Sequence, residues 1–401
     1  MVERERSPVL IAGAGVGGLT AAFSLARAGF EVALIERATR FEEIGAGLQL
    51  SPNASRILIE LGLGPALARN ATAPDRLVVH RLSRERPIGR MPMNARNPFG
   101  APFWVTLRKD LQTALIDAAR GEPRIAFRVG RTVETVSQQA DGVVVEIATA
   151  SGARETMAGA ALIGADGVWS RARAAVGDAA KPAFSGFEAW RAVIPASDAP
   201  ETARAAETHV WMSRAAHLVH YPVARGTLIN LVLVLRAPPP PAASESGWDA
   251  SADPAALRDV VAHAVEPARS LIRRASSWRR WPLYDRGGLG ALARGRIALI
   301  GDAAHPVLPF LAQGAALAVE DAAVLAQEAA RAPDDLALAF SRYAARRRER
   351  AARVQKASRA NARAYHAGGL AALARDLVIA RLGEDGMLNR YRWLYGWTQD
   401  S

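Results

Sequence analysis

The sequence predicts an α/β fold: a Rossmann-like nucleotide-binding domain assembled from separate stretches of chain, an inserted β-rich domain, and a helical C-terminus. Three observations predict it. A buried strand, a glycine-rich turn, a helix and a second buried strand follow one another at the N-terminus. Alternating apolar and polar residues dominate 75–94 and 187–235, which marks strands of a different sheet. Beyond the strand RIALIGD, the pattern is almost entirely helical.

Each element has a local cause. Residues 8–12 form a short apolar run, 17–28 repeat apolar side chains at helical spacing, and Gly29 supplies a helix stop. EVALIE (31–36) reads as the second strand. A helical pattern over 51–69 has Ser51 or Asn53 as its cap. A helix is expected at 110–119, then a meander with Asp141-Gly142 as a hairpin turn. ALIGADG is a further buried strand. The Pro238–Pro241 run and the Ala/Ser/Glu stretch after it read as a surface loop. Helices follow at 254–265 and 267–275, and a long one opens near Gln313.

Composition narrows the function. With 401 residues the chain exceeds one ordinary small domain. It has no cysteine, so disulfides, thiolate metal sites and cysteine nucleophiles are excluded. No secretory leader or long apolar run occurs, so a cytoplasmic protein without membrane contact is expected. The formal charge of +12 raises the question of nucleic acid. Much of the excess is arginine in 342–363 without interleaved aromatics, so a solvated helix is the expectation and nucleic acid is not. Neither HExxH nor GxSxG appears, so no metal and no serine hydrolase is implied.

The chemistry-bearing motif comes first. Gly13, Gly15 and Gly18 fit GxGxxG: the first permits a tight turn, the second lets a pyrophosphate approach, the third lets helix and strand pack. The helix N-terminus presents free N–H groups to phosphate, and Glu36 ends the next strand, where an acid accepts from ribose hydroxyls. The alternative is a glycine-rich turn without a ligand. This fingerprint does not choose NAD from FAD.

Two further segments choose. Residues 164–173 fit GADGxxSxxR, with Asp166 within, and 295–306 form a strand ending in GDAAHP, with Asp302 and His305. With the fingerprint, in this order and spacing, the chain resembles the class A flavoprotein aromatic hydroxylases of the p-hydroxybenzoate hydroxylase fold over nearly its whole length. GAGLQLSPN (45–53), HLVHYP (217–222), LPFLAQG (308–314) and WLYGW (393–397) are similar to the salicylate hydroxylase and 6-hydroxynicotinate mono-oxygenase branch.

The resemblance implies one FAD, NADH or NADPH as reductant, and O2 as co-substrate. It divides the chain into an FAD-binding domain (1–74, 100–180 and 286–330), a substrate-binding domain (75–99 and 181–285) and a helical C-terminal segment (331–401). Asp302 is expected on the ribityl chain. The helix starting at Gly314 and Ala315 would face the flavin pyrimidine, its dipole contributing about 1–2 kcal/mol to an anionic reduced ring. Arg108, Gly47 and Asp166 are further cofactor candidates, Asp166 also toward the nicotinamide, or simply capping a turn. Arg37 would touch adenosine phosphate or solvent. The family often has asparagine where Ala316 stands.

His217 and Tyr221 are the catalytic and substrate-binding candidates, since residues four apart on a strand share a face and a histidine suits a phenol's proton. Which of the two is the base stays open, and a satisfied core histidine is the plain alternative. His220 is expected to be structural. Arg191, with its planar fork, is a candidate carboxylate partner, and Pro309 a substrate contact. The implied reaction is hydroxylation of a phenolic or hydroxylated N-heteroaromatic ring through a C4a-hydroperoxyflavin, with or without loss of a carboxylate. The rivals are an FAD-dependent dehydrogenase or reductase on the same scaffold, an epoxidase or antibiotic-modifying family member, and a non-catalytic flavin-binding protein. The substrate, the choice of NADH or NADPH and the oligomeric state are open.

Overall fold

The computed structural model describes residues 7–41, 46–240 and 250–400. The charged N-terminal hexapeptide, Gly45 and the Ala/Ser/Glu stretch after Pro240 lie outside the described residues.

The strand Val9–Ala12 is buried along its whole length, as its run of aliphatics requires in a parallel sheet covered on both faces. It pairs in parallel with Val32–Glu36 on one side and Ala161–Gly164 on the other. Ile125–Val129 extends one edge, Ile297–Leu299 the other, and the antiparallel Ala293–Arg294 completes six strands. The chain order therefore reverses beside Val9–Ala12, and the carboxyl ends of these strands release Gly13, Glu36 and Asp166 at one edge, where doubly wound sheets bind ligands. The three-stranded meander (Arg131–Gln138, Val143–Thr149, Arg154–Gly159) turns at 139–142 as the sequence predicts.

The second body is an eight-stranded sheet made from Arg76–Arg81, Gly89–Pro92 and the strands between Ala183 and Asp285. One of its faces packs on the short helices of 258–274 around Trp211, Leu218 and Trp278. The opposite face carries His217, Val219 and Tyr221 toward the first body.

Several local expectations change. The helix read at 51–69 is two, Pro52–Glu60 and Gly64–Ala68, and neither Ser51 nor Asn53 caps it with a side chain. Asn53 is instead fully buried and spent on tertiary hydrogen bonds. The 110–119 helix begins at Arg108. The arginine-rich helix Leu336–Tyr365 is no solvated rod: Arg347 and Arg350 are buried against Glu320 and Asp321, and Trp393 and Trp397 lie over their guanidinium planes. A run of like charges reads as solvated only until acids far away in sequence are known.

Candidate active site

The glycine turn is built as the fingerprint demands. Gly13 holds φ +101°, and a Cβ there would sit 2.5 Å from the Ala165 carbonyl oxygen. A Cβ on Gly18 would overlap the Gly13 carbonyl oxygen, so this glycine packs helix on strand. Gly15 differs: among the described residues nothing lies within 4 Å of where its Cβ would be, so it borders open space at the uncapped start of the helix Val16–Arg27. That start carries no acid in its first turn, leaving its dipole free for an anion. Glu36 accepts from the Ala14 N–H (2.7 Å) and the Ala38 N–H (2.9 Å), which locks its carboxylate beside the turn with lone pairs to spare. Arg37 is exposed next to it.

At the same sheet edge, the strand Ile297–Leu299 runs into Gly301, which has φ +57° and donates its N–H to Asp321 (2.8 Å). His305 Nε2 meets the other face of that Asp321 oxygen at 2.6 Å, so His305 positions the turn. Asp302 faces outward from it and is exposed; protein crowding on its remaining sides raises its carboxyl, and the charges of His305 and Arg108 pull it back. Asp302 Oδ1 would lie 4.0 Å from a Cβ on Gly314, the first residue of the helix Gly314–Arg331, with Ala315 half-buried behind it. Thus an exposed acid, an exposed arginine at a helix start and a free helix N-terminus converge.

Asp166 is engaged in its turn: Oδ2 accepts from the Arg171 and Ala172 N–H groups at 2.8 and 3.3 Å, while Oδ1 is buried without a partner among the described residues. Burial raises its carboxyl, and the Ser170 and backbone hydrogen bonds oppose this. Gly47 N–H donates to Asn230 Oδ1 at 2.7 Å, and a Cβ on Gly47 would fall 2.5 Å from Asn230 Cγ. The glycine therefore lets the two bodies touch, and Asn230, which the sequence reading missed, is the side chain that does so.

His217 and Tyr221 lie on one face of the strand Ala216–Val223 but in separate surroundings. His217 packs at ring-centroid distances of 5.2 Å from Phe310, 5.2 Å from Tyr365 and 5.1 Å from His366. Phe310 and Pro309 belong to the turn leading into Gly314, so His217 sits against the same segment that presents the helix N-terminus. Tyr221 packs with Val105, Leu107 and Val223. Burial, then the neighbouring His366, keeps His217 well below the usual histidine range; burial pushes the Tyr221 phenol up, with Arg191 opposing. Arg191 shares this sheet face, its guanidinium 4.1 Å over the Trp281 ring. His220 is on the other face, in a stack with His80, His209 and Trp211, as a structural residue would be.

The family of the FAD binding domain matches residues 6–358. The chain belongs to this family. It is 36% identical over 399 residues to 3-hydroxybenzoate 6-hydroxylase 1 of Aquipseudomonas alcaligenes, covering 97% of each chain. It is 34% identical over 361 residues to 6-hydroxynicotinate 3-monooxygenase of Bordetella bronchiseptica, covering 88% of this chain and 91% of the other. A salicylate hydroxylase substrate complex superposes with a TM-score of 0.81 at 24% identity over 99% and 97% of the two chains, a likeness of fold. The FAD fold, the mono-oxygenase class and the aromatic-hydroxylase resemblance read from the sequence are borne out. Among the described residues no helix is long and apolar enough to cross a membrane, and no cluster of metal-ligating side chains is present.

Proposed function

We propose that this FAD-dependent hydroxylase acts on a phenolic carboxylate, 3-hydroxybenzoate first, with NADH or NADPH and O2. Bound FAD would supply the redox chemistry with the nicotinamide and O2, so the protein's work is to bind, orient and deprotonate. The open space at Gly15, the fixed Glu36 and the exposed Asp302 fit a dinucleotide. Gly15 would let its pyrophosphate approach, with Gly13 turning the chain and Gly18 packing helix on strand; Glu36 would hold its ribose, and Arg37 and Arg108 its phosphates. Asp302 would hold the ribityl chain, the Gly314 and Ala315 N–H groups would face the ring, and Gly47 and Asp166 would border it. Sheet membership supports dividing the chain at about the expected boundaries, the eight-stranded sheet being the substrate domain.

The observation that carries the substrate reading is His217 against Phe310, one turn before the helix N-terminus at Gly314. In that position His217 takes the phenol proton and makes the ring electron-rich. Tyr221, kept protonated, donates to the substrate oxygen, Arg191 pairs with the carboxylate, and Pro309 walls the ring. The test is NADH and NADPH oxidation with oxygen uptake across hydroxybenzoates, salicylate and hydroxypyridines. One compound should stimulate both, with label from oxygen-18 in the product. Product without label would give the dehydrogenase instead. Full coupled turnover by His217→Ala would end the base assignment.

A further inference from the structure

A histidine kept neutral by burial accepts a proton readily only if it can pass it on. His217 has a partner for this. His366 follows the helix Leu336–Tyr365, and its Nδ1 lies 3.0 Å from the Ala362 carbonyl oxygen. A carbonyl only accepts, so Nδ1 carries the hydrogen and Nε2 offers a lone pair. That Nε2 is 3.4 Å from His217 Nδ1, so in this tautomer His217 donates there and its own lone pair lies on Nε2, the edge away from His366. His366 also borders an open cleft with Arg214, Ala215 and Arg236.

We propose that His366 is the positioning residue and proton relay of His217, fixing its tautomer and carrying the substrate's phenolic proton to the cleft between Arg214 and Arg236. This rests on the reading of His217 as base. The phenol O–H breaks as His217 Nε2–H forms; the His217 Nδ1–H breaks as His366 Nε2–H forms. Phenolate and a His366 imidazolium result, and cleft water takes the proton from the latter. The groups around His366 suit a transient carrier. Burial and the Arg236 charge oppose its protonated form, while the Ala362 and Val234 carbonyls favour it. Tyr365, raised by burial, stays neutral beside the pair, and Arg214 lies exposed across the cleft.

The experiment uses FAD-loaded enzyme and 3-hydroxybenzoate, or whichever panel phenol stimulates turnover. Proton release on substrate binding is followed with an indicator dye, and the bound phenolate by its absorption band, across pH. His366→Gln keeps an acceptor for His217 but carries no proton. It should bind substrate normally, release protons about tenfold or more slowly, and move the acid limb of kcat/KM; imidazole should rescue His366→Ala. Arg214→Ala with Arg236→Ala, both on the surface, should shift the same limb to higher pH. Wild-type proton release in His366→Gln, or no shift in the double arginine variant, overturns the relay. If His217→Ala still forms phenolate, the base reading itself has failed; if it does not while His366→Gln behaves as wild type, only the relay has.

Discussion

Arg347 Nε donates to Asp321 Oδ1 across 2.7 Å with both side chains buried. Burial raises Asp321, yet His305 and Arg347 outweigh it and hold the carboxyl at about 2. Glu320, one residue earlier, takes Arg347, Arg350 and Asn53 at 2.6–2.7 Å. The ion network thus joins the arginine-rich helix to the turn that presents Asp302.

Removing one member of a buried pair leaves the other charge stranded, at about 3–5 kcal/mol. Arg347→Met should lose about that much in urea unfolding. Asp321→Ala should also free the Gly301 N–H, and so weaken FAD retention in fluorescence titration beyond its stability loss. An unaltered unfolding midpoint in Arg347→Met would show that Glu320 and Asp321 are not left stranded without it.

The fingerprint glycines should separate folding from cofactor binding. Gly18→Ala drives a Cβ into the Gly13 carbonyl oxygen, so it should unfold early in denaturant with or without FAD. Gly15→Ala meets no atom of the described residues, so its apoprotein should unfold like wild type while FAD affinity falls about tenfold or more, as a methyl group displaces the close pyrophosphate approach. Equal loss of apoprotein stability in both variants would contradict this division.

Arg191 should act on binding rather than chemistry. If its fork pairs with the carboxylate, Arg191→Lys loses the planar two-pronged contact and the stack on Trp281. KM for a hydroxybenzoate should rise by about one to two orders of magnitude, a cost of roughly 1.5–3 kcal/mol for a charged hydrogen bond, while the parent phenol without a carboxylate is nearly unaffected. Equal losses on both substrates would remove Arg191 from carboxylate recognition.

What was legible was local. Gly13, Gly15, Gly18 and Glu36 lie in one βαβ unit, so spacing alone carried their placement. His217 and Tyr221 were correctly set on one strand face by alternation. The rest depends on partners that no window spans: Asn53 meets Glu320 at a separation of 267 residues, and His217 meets His366 at 149. Asn230 looked like an ordinary strand residue, although an asparagine flanked by aliphatics in a buried strand was a usable signal. His366 stood in a stretch read only as helical, and its usefulness comes from the Ala362 carbonyl one helical turn before it.

The stack His80–His209–His220 should make the substrate sheet acid-sensitive. Burial lowers His80 to about 4, with Arg90 adding to it and the Glu85 carbonyl opposing, and lowers His209 to about 3, with His80 and Arg90 adding to it. His220 is also lowered by burial, and among the described residues neither of its ring nitrogens has a hydrogen-bond partner. These rings are neutral when folded and titrate near 6.5 when unfolded, so below that value the unfolded chain binds more protons. Their stabilisation is complete above about pH 6.5 and is lost as pH falls toward 3. At pH 5.5 each ring costs roughly 1.4 kcal/mol relative to pH 8, by the unfolded-state titration alone. His220→Leu keeps the packing against Trp211 and deletes one titration, so its unfolding midpoint should fall less between pH 8 and 5.5 than that of wild type. Parallel pH slopes for the two proteins would mean that the stack opens and protonates without unfolding.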